Sequence, residues 1–281
     1  MNTGLSGKTV LVTGGSGGIG QSIVRTMVAE NANVVIHFNK GRDRAEALAK
    51  SLPEFQVGVV AADLRSELDV RSMFAAAAQR FGQVDVLIAN AGKWPEADTP
   101  IHEMSLERWN DTLAVNSTSV FLCVREYLKQ ALAAKMIDPA IVAIGSTAGR
   151  VGEASHGDYA TAKAGFMYGM IQSLKNEITR VAARGRINAV CPGWTITPMA
   201  RSLTSNESAM TKTLQTIPMR KFGSVDDIAN AVAFLASNKL AGHVTGQTLF
   251  VDGGMEGRVI NDPGEIDVKA ALPNYSGQST S

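Results

Sequence analysis

The stretch Lys8 to Gly20, KTVLVTGGSGGIG, joins a β-branched apolar run to a turn that is rich in glycine. The apolar run predicts a strand over Lys8 to Thr13, and helical periodicity follows from Gly18 to Glu30. Glycines permit the tight turn and let a pyrophosphate approach the amide groups at the helix amino terminus. The glycine spacing differs from the GxGxxG dinucleotide fingerprint, so a turn without a ligand is the alternative for this segment alone.

The end of the second predicted strand bears on which dinucleotide would bind. Asn33 to Phe38, NVVIHF, is this strand, and the helix Asp43 to Ser51 follows it. An acidic residue at the strand end favours NAD, whereas cations favour the 2′-phosphate of NADP. Two cations and no acid stand here, so the sequence favours NADP (NADPH) over NAD, unless the cations only solvate a loop. The candidate cofactor-binding residues of the two segments are Gly14, Ser16, Gly17, Gly18, Ile19, Gly20, Phe38, Asn39, Lys40 and Arg42.

The remaining chain repeats the alternation of strand and helix. Further strands are predicted over Phe55–Ala61, Val84–Ala89, Ala140–Gly145, Arg186–Cys191 and Thr248–Val251. Helices are predicted over Ser66–Phe81, about Ser105–Lys135, from Tyr159 to about Ala183, and over Ser224–Ala236. This order predicts an α/β fold with a single Rossmann-type, doubly wound, seven-stranded parallel sheet and helices on both faces. We expect one domain, 1–255, with a substrate-covering segment at about 194–222, and a carboxyl-terminal tail, 256–281.

A serine, a tyrosine and a lysine occur close together in Ile144 to Gly165, IGSTAGRVGEASHGDYATAKAG. Ser146 follows the fifth strand, where open α/β sheets bind ligands, and Lys163 shares a helix face with Tyr159. An ammonium near a phenol favours the phenolate, so we expect Lys163 to lower the pKa of Tyr159 from about 10 and make it a general acid/base. A tyrosine and a lysine at this spacing also occur by accident, so the pair gains weight only beside a cofactor site.

Polar or small residues also follow the third and fourth strands. Asp63, next to Leu64, is placed to accept a hydrogen bond from an adenine amino group or to cap the next helix, although Ser66 is the better-placed cap. The small turn after the fourth strand leaves room for a flat cofactor and consists of Asn90, Ala91 and Gly92. Asn116 lies in the middle of a predicted helix, where asparagine indicates a local distortion or a polar role, with a solvated position as the alternative.

Composition argues against several functional classes. The 281 residues include 27 Lys and Arg against 26 Asp and Glu, and a net charge of +1 does not favour nucleic acid or an anionic membrane as partner. No apolar run is long enough for a signal sequence or a membrane span, so we expect a soluble, cytoplasmic protein. Cys123 and Cys191 have neither metal-ligand spacing nor an obvious disulfide partner, so we expect two reduced, buried cysteines and no metal.

Over about residues 5–255 the chain resembles the classical short-chain dehydrogenase/reductase family, and within it the members similar to 3-oxoacyl-[acyl-carrier-protein] reductase. The matching motifs occur in the family's order. They are Thr13-Gly14 with Gly18 and Gly20, Asp63, Asn90-Ala91-Gly92, Asn116, Ser146, Tyr159 with Lys163, Pro192-Gly193 and Asp252-Gly253-Gly254. The resemblance implies an NADP(H)-dependent oxidoreductase that transfers a hydride between nicotinamide and a carbonyl or secondary alcohol substrate.

The resemblance also implies residue roles. Tyr159 would exchange the proton with the substrate oxygen, Ser146 would hydrogen-bond that oxygen, and Lys163 would lower the tyrosine pKa and bind the nicotinamide ribose. Asn116 would hold a water that links Lys163 to solvent. The residues that would bracket the nicotinamide are Pro192, Gly193, Thr195 and Thr197. The candidates for the substrate pocket are Trp94, Glu153, His156, Trp194 and Met199.

One position departs from the family pattern. NADP-preferring relatives often have Arg or Lys where this chain has Gly17, so the preference for NADP depends on Lys40, Arg42 and the absence of an acid. The expected assembly is a homotetramer or homodimer. The alternative functions are an NAD(H)-dependent alcohol or sugar dehydrogenase of the same fold and a non-catalytic NADP-binding scaffold. An extended-fold epimerase or dehydratase is disfavoured because little chain remains after residue 255.

Overall fold

A single parallel sheet forms the centre of the computed structural model, which describes residues 2–197 and 207–257. Its strands are β1 Thr9–Val12, β2 Asn33–Phe38, β3 Val57–Ala61, β4 Val86–Ala89, β5 Ala140–Ile144, β6 Arg186–Pro192 and β7 Thr248–Val251. Their order across the sheet is β3-β2-β1-β4-β5-β6-β7. The chain winds outward in one direction from β1 and in the other from β4, which confirms the predicted Rossmann-type fold.

Helices cover both faces of this sheet. They are α1 Gly18–Ala29, α2 Arg42–Lys50, α3 Glu67–Phe81, α4 Leu106–Leu113, α5 Ser119–Ala133, α6 Ala148–Val151, α7 Gly157–Ala164, α8 Ile171–Val181, α9 Glu207–Leu214, α10 Val225–Ala236 and α11 Asn238–Ala241. The hydroxyl of Ser66 caps α3 by accepting from the amide of Asp69. Ser224 and Asp227 form a reciprocal capping box at the start of α10. The predicted cap at Ser66 is therefore confirmed.

Alternate residues of the strands pack on opposite faces, so the sheet divides the core in two. Val10 and Val12 of β1 join the cluster that includes α1 and α10. Leu11, between them, joins the cluster that includes α3, α5 and α8. Strands that are buried on both faces have nearly continuous apolar sequences, and β4 and β5 are examples. Both broad faces of the central strands are thereby covered by helices.

Two π-helical turns interrupt the long helices. The first, Ala114–Thr118, lies between α4 and α5 and contains Asn116, which confirms the predicted distortion at that residue. The second, Gly165–Met170, lies between α7 and α8 and was not predicted. Such turns are rare and are often found at functional sites.

The third strand is shorter than predicted. It begins at Val57 rather than Phe55, because Glu54–Gln56 form a 3-10 turn. The side chain of Phe55 is 76 % exposed, although its aromatic ring favoured a strand in the sequence.

Three further expectations concern other parts of the chain. Met199 and the tail beyond Gly257 lie outside the described residues. Within the described ranges, no helix combines the length and apolarity needed to cross a bilayer. Cys123 and Cys191 are buried and free, as expected. Burial raises the pKa of each thiol to about 12, so both are protonated at neutral pH.

Candidate active site

The sheet brings the predicted site residues to one crevice. The glycine turn follows β1, Asn90 follows β4, Ser146 follows β5, and Pro192 ends β6. The strands β1 and β4 are neighbours at the point where the winding direction changes. Open α/β sheets bind ligands at this point, outside the carboxyl ends of the strands.

Hydrogen bonds to neighbouring strand ends hold the glycine turn in place. The side-chain amide of Asn90 donates to the carbonyl oxygens of Thr13 at 2.8 Å and Gly14 at 3.1 Å. The hydroxyl oxygen of Thr13 in turn accepts from the backbone amides of Asn90 at 2.9 Å and Ala91 at 3.0 Å. These hydrogen bonds within the protein thus hold the turns after β1 and β4 together.

The start of α1 suits an anionic ligand. Its N-cap residue is Gly17, and among the described residues no side chain caps the helix and no acid lies in its first turn. A methyl group on Gly20 would lie 2.2 Å from the carbonyl oxygen of Gly14, so only glycine fits where the helix meets the turn. Free amide groups at a helix amino terminus bind pyrophosphate well. The residues present therefore fit the pyrophosphate of a dinucleotide.

His37 belongs to this turn, although the sequence placed it only in a strand. Its Nδ1 accepts from the backbone amide of Gly14 at 2.9 Å, and its Nε2 lies 3.1 Å from the carbonyl oxygen of Ala62. These partners require a neutral imidazole with the proton on Nε2. Burial lowers the pKa of His37, which agrees with that state. A histidine inside the apolar run NVVIHF was the signal in the sequence that could have found it.

Three cations follow the end of β2, and one of them borders a small space beside Gly41. Lys40 is exposed, and Arg42 lies over the ring of Phe38 and pairs with Glu46 at 3.2 Å. The third cation, Arg44, was missed in the sequence. A methyl group on Gly41 would lie 2.7 Å from the hydroxyl oxygen of Ser16 and 3.0 Å from a terminal nitrogen of Arg44.

The arginine and the serine therefore border the same space at Gly41, next to the phosphate-binding turn. Asn39 is exposed and Phe38 is buried beside them. A guanidinium, a hydroxyl and an exposed lysine together fit a phosphate group. The sequence could have indicated Arg44, because it lies within the first turn of α2.

Asp63 and Leu64 lie after β3, on the far side of His37. The carboxylate of Asp63 accepts hydrogen bonds from Arg65 at 2.7 to 3.1 Å. These bonds lower the pKa of Asp63, and the charge of Lys40 adds to the effect. Asp63 does not cap α3, since Ser66 does, and Leu64 is buried in the core.

Tyr159, Ser146 and Lys163 converge where α7 meets the end of β5. Lys163 is 3 % exposed, and its Nζ donates to the carbonyl oxygen of Ile144 at 3.0 Å. The same Nζ lies 5.6 Å from the centre of the Tyr159 ring. The hydroxyl of Ser146 accepts from the amide of Ala148 at 3.2 Å and hydrogen-bonds the phenol of Tyr159. The residues at 146, 159 and 163, which are separate in the sequence, thus form one cluster.

Asn116 faces this cluster from the π turn. Its side-chain oxygen accepts from the amide of Lys93 at 3.0 Å, and its nitrogen donates to the carbonyl oxygens of Lys93 at 3.0 Å and Thr112 at 3.1 Å. A methyl group on Gly92 would lie 2.9 Å from Oδ1 of Asn116 and 3.3 Å from Nζ of Lys163. Glycine at position 92 therefore leaves a small polar space between the asparagine and the lysine.

The expected net lowering of the Tyr159 pKa below about 10 is wrong for this arrangement. Burial raises the pKa of Tyr159 to about 12, and the hydrogen bond with Ser146 offsets only part of that rise. Burial also lowers the pKa of Lys163 to about 8, while its ammonium is engaged by the Ile144 carbonyl. Tyr159 is consequently a protonated phenol at neutral pH, which suits a proton donor.

The residues after β6 form the next border of the crevice. The amide of Gly193 donates to the carbonyl oxygen of Val251 at 3.1 Å, and the hydroxyl of Thr195 donates to the Gly193 carbonyl at 3.1 Å. Thr195 is buried and pairs with Gly223, whose amide donates to the Trp194 carbonyl at 2.9 Å. Thr197 and the ring of Trp194 are half-buried.

Trp94 and His156 form a wall beside Tyr159. Their rings stack with centres 4.0 Å apart, and the rings of Trp94 and Tyr159 meet at 69° with centres 4.9 Å apart. Nε2 of His156 lies 3.1 Å from the carbonyl oxygen of Pro95, and Nδ1 lies 3.2 Å from that of Ala154.

Glu153 is half-buried near the same wall. Burial raises the pKa of its carboxyl group, and the nearby charge of Asp98 adds to the rise. Of the five predicted pocket residues, Trp94 and His156 thus contact each other, and Trp94 also contacts Tyr159. Trp194 lies on the segment after β6, and Met199 falls outside the described residues.

Comparisons with known proteins agree with this fold. A family model described as Enoyl-(Acyl carrier protein) reductase matches residues 14–256. The 3-oxoacyl-[acyl-carrier-protein] reductase of Staphylococcus epidermidis is 35 % identical over 254 residues, which cover 88 % of this chain and 98 % of the relative. The reductase of the same name from Escherichia coli K12 is 36 % identical over 250 residues, which cover 89 % of this chain and 97 % of the relative.

A solved structure is similar over nearly the same span. It is a short-chain dehydrogenase/reductase from Brucella melitensis, described as a glucose/ribitol dehydrogenase, with a TM-score of 0.81 and 32 % sequence identity. The match covers 90 % of this chain and 98 % of the other. The strands β2 to β7 and every candidate site residue in the described part of the chain lie within residues 14–256, whereas β1 lies just before them.

Proposed function

Because the chain belongs to the short-chain dehydrogenase/reductase family of oxidoreductases, we propose that it is an NADP(H)-dependent enzyme that reduces a carbonyl group to a secondary alcohol. One observation carries the proposal. Tyr159 is a protonated phenol, hydrogen-bonded to Ser146 and close to Lys163, in the crevice that the glycine turn also borders.

The protein's part in the reaction is to move a proton and to orient the substrate. Bound NADPH supplies the hydride for the substrate carbon. Tyr159 donates its phenolic proton to the substrate oxygen, and its raised pKa keeps that proton in place until negative charge develops there. The hydroxyl of Ser146 hydrogen-bonds the same oxygen. The ammonium of Lys163 stabilises the phenolate that remains.

The tyrosine is then reprotonated from solvent through Lys163 and a water molecule that Asn116 would hold. The polar space that Gly92 leaves between Lys163 and Asn116 is suited to a water molecule with several partners. Lys163 also binds the nicotinamide ribose in this proposal. Pro192 and Gly193 lie at the end of β6, and with Thr195 and Thr197 they hold the nicotinamide at the same border of the crevice.

Two features support NADP as the cofactor. Lys40, Arg42 and Arg44 are positive side chains at the end of β2, and no acid stands at Phe38. Arg44 and the hydroxyl of Ser16 border one space beside the glycine turn, as a 2′-phosphate site requires. The pair between Arg42 and Glu46 is exposed and therefore weak, so it can rearrange toward a phosphate.

Exposed apolar side chains support the proposed homotetramer. On the α4–α5 segment, Leu106 is 72 % exposed and Leu132 is 60 % exposed, and Tyr168 is 49 % exposed between α7 and α8. Large apolar side chains on two neighbouring long helices suit an interface between copies of one chain. Sedimentation velocity would test this, and a single monomeric species at micromolar concentration would contradict it. The proposed location is the cytoplasm.

A carbonyl screen tests the proposed function. The purified protein is mixed with NADPH or NADH and with 3-oxoacyl thioesters, sugars and simple ketones, and loss of the reduced nicotinamide is followed by absorbance. We expect turnover of at least one carbonyl with a clear preference for NADPH. Faster rates with NADH would contradict the cofactor assignment, and tight NADPH binding without any oxidation would indicate a scaffold.

A further inference from the structure

A buried ion pair lies directly behind the proposed proton donor. Asp158, the residue before Tyr159, is 0 % exposed. Its Oδ2 accepts from Nε of Arg108 at 3.0 Å and from the hydroxyl of Thr112 at 2.8 Å, both on α4. Burial raises the pKa of this carboxyl group, but the hydrogen bonds from Arg108 and Thr112 outweigh burial and the pKa is lowered. The carboxylate is therefore charged as well as buried.

This contact compensates for a weak start of α7. The N-cap residue, His156, makes no side-chain hydrogen bond to the described part of the helix. Tyr159 lies in the first turn, where helices fray most readily when they are uncapped. The bonds from α4 to Asp158 hold that first turn instead.

Arg108 extends the contact to the wall of the crevice. Its terminal nitrogens donate to the carbonyl oxygen of Ala97 at 2.6 Å, to the hydroxyl of Thr99, and to the carbonyl oxygen of Ser155 at 3.3 Å. The amide of Thr99 also donates to Ser155 at 3.1 Å. One guanidinium thus joins the segment that follows Trp94 to the turn before α7 and to α7 itself.

Thr112 extends the contact in the other direction. Its hydroxyl binds Asp158, and its carbonyl oxygen accepts from the side chain of Asn116 at 3.1 Å. A continuous series of hydrogen bonds therefore connects the residue next to Tyr159 with Asn116 in the π turn.

We propose that Asp158 and Arg108 are positioning residues, the first for Tyr159 relative to Asn116 and the second for the segment 94–99 of the substrate wall. This inference rests on the proposed function, because it assigns their effects to steps of that reaction. The two residues share one ion pair but serve different parts of the site. Asp158 therefore acts mainly on kcat and Arg108 mainly on KM for the carbonyl substrate.

The test is steady-state kinetics of the full chain with NADPH and its best carbonyl substrate. Asp158→Asn keeps the size of the side chain and is expected to lower kcat about ten-fold while KM stays within about two-fold. Arg108→Lys keeps the charge but loses the forked donors, and it is expected to raise KM about five-fold with kcat within about two-fold. Arg71→Lys, in an exposed pair with Glu67, is the matched control and leaves both constants unchanged.

The proposal would be overturned if each substitution changed kcat and KM to the same extent, because a merely structural role predicts that pattern. Unchanged kcat and KM in both variants would also overturn it. If either variant fails to fold, Thr112→Val and Thr112→Ser decide the question. The valine removes the hydroxyl and is expected to lower kcat about three-fold, whereas the serine keeps it and stays within about two-fold of wild type. Equal kcat values for the two would contradict the proposal. Absence of turnover in the wild type would instead refute the proposed function.

Discussion

The two halves of the crevice are built in different ways. In the cofactor half, residues 13–20, 37–44 and 90–92, strand ends are joined by backbone groups and by the side chains of Thr13, Asn90 and His37. In the substrate half, residues 94–99 and 153–158, the segments are held mainly by side chains, above all Arg108 and His156. The first half follows from sheet topology, whereas the second depends on a few residues that a substitution can change. We therefore expect the fold to fix cofactor binding, and substitutions in the second half to change substrate choice.

The largest effect on cofactor affinity is expected where the cofactor half leaves no space for an added methyl group. Gly20→Ala would place a methyl group 2.2 Å from the Gly14 carbonyl oxygen, so the turn must shift. We expect the Kd for NADPH to rise about 100-fold, since overpacking of this kind costs up to about 3 kcal/mol. Fluorescence titration with NADPH measures it. Gly169→Ala, whose added methyl meets nothing within 4 Å, is the control, and equal affinities in the two variants would contradict the account.

A smaller effect is expected at the end of β2. Arg44→Ala removes the guanidinium beside Ser16 and Gly41, and we expect the Kd for NADPH to rise about ten-fold while that for NADH stays within about two-fold. Titration with both nucleotides gives the ratio. Arg25→Ala, at an exposed arginine that contacts Ser51, is the matched control. A parallel loss of affinity for both nucleotides would show that Arg44 supports the fold rather than the 2′-phosphate.

His37 should make the cofactor half sensitive to acid. Its folded pKa lies below its ordinary value of 6.5, so as pH falls the unfolded chain takes up this proton before the folded chain does. This contribution to stability is present above pH 6.5 and is lost as pH falls through the folded pKa. The expected loss is about 1 kcal/mol per pH unit below 6.5, until that pKa is passed.

Urea unfolding at neutral and mildly acidic pH measures this difference in the free energy of unfolding. His37→Asn keeps a hydrogen-bond acceptor for Gly14 but does not titrate, so its stability should change less with pH than that of the wild type. His243→Asn, at an exposed histidine, is the control. An acid-induced loss that persists in full in His37→Asn would assign it to another group.

The two halves of the crevice also differ in how much of each could be predicted from the sequence. The glycine turn, the succession of strands and helices, and the distortion at Asn116 follow from local patterns, because turn chemistry and helix propensity act over a few residues. Arg108 and Asp158 are 50 positions apart, and no local pattern indicates that they meet. The raised pKa of Tyr159 was missed for the same reason, since its burial depends on packing against residues such as Trp94.

The smallest effect is expected at the wall beside Tyr159. Trp94→Leu removes the stack on His156 and the edge contact with Tyr159, and we expect KM for the carbonyl to rise about three-fold. Trp94→Phe keeps an aromatic ring and should stay near the wild-type value. Indistinguishable KM values for the two variants would mean that the aromatic stack does not shape the substrate half.

Tyr159→Phe tests the central claim most directly, because it removes the phenolic proton and keeps the ring. The measurement is kcat for NADPH-dependent reduction of the best carbonyl substrate, together with the Kd for NADPH. We predict that kcat falls about 1000-fold while the Kd stays within about two-fold, since only the proton donor is lost. Full turnover in this variant would contradict the assignment of Tyr159 as the proton donor, and with it the proposed mechanism.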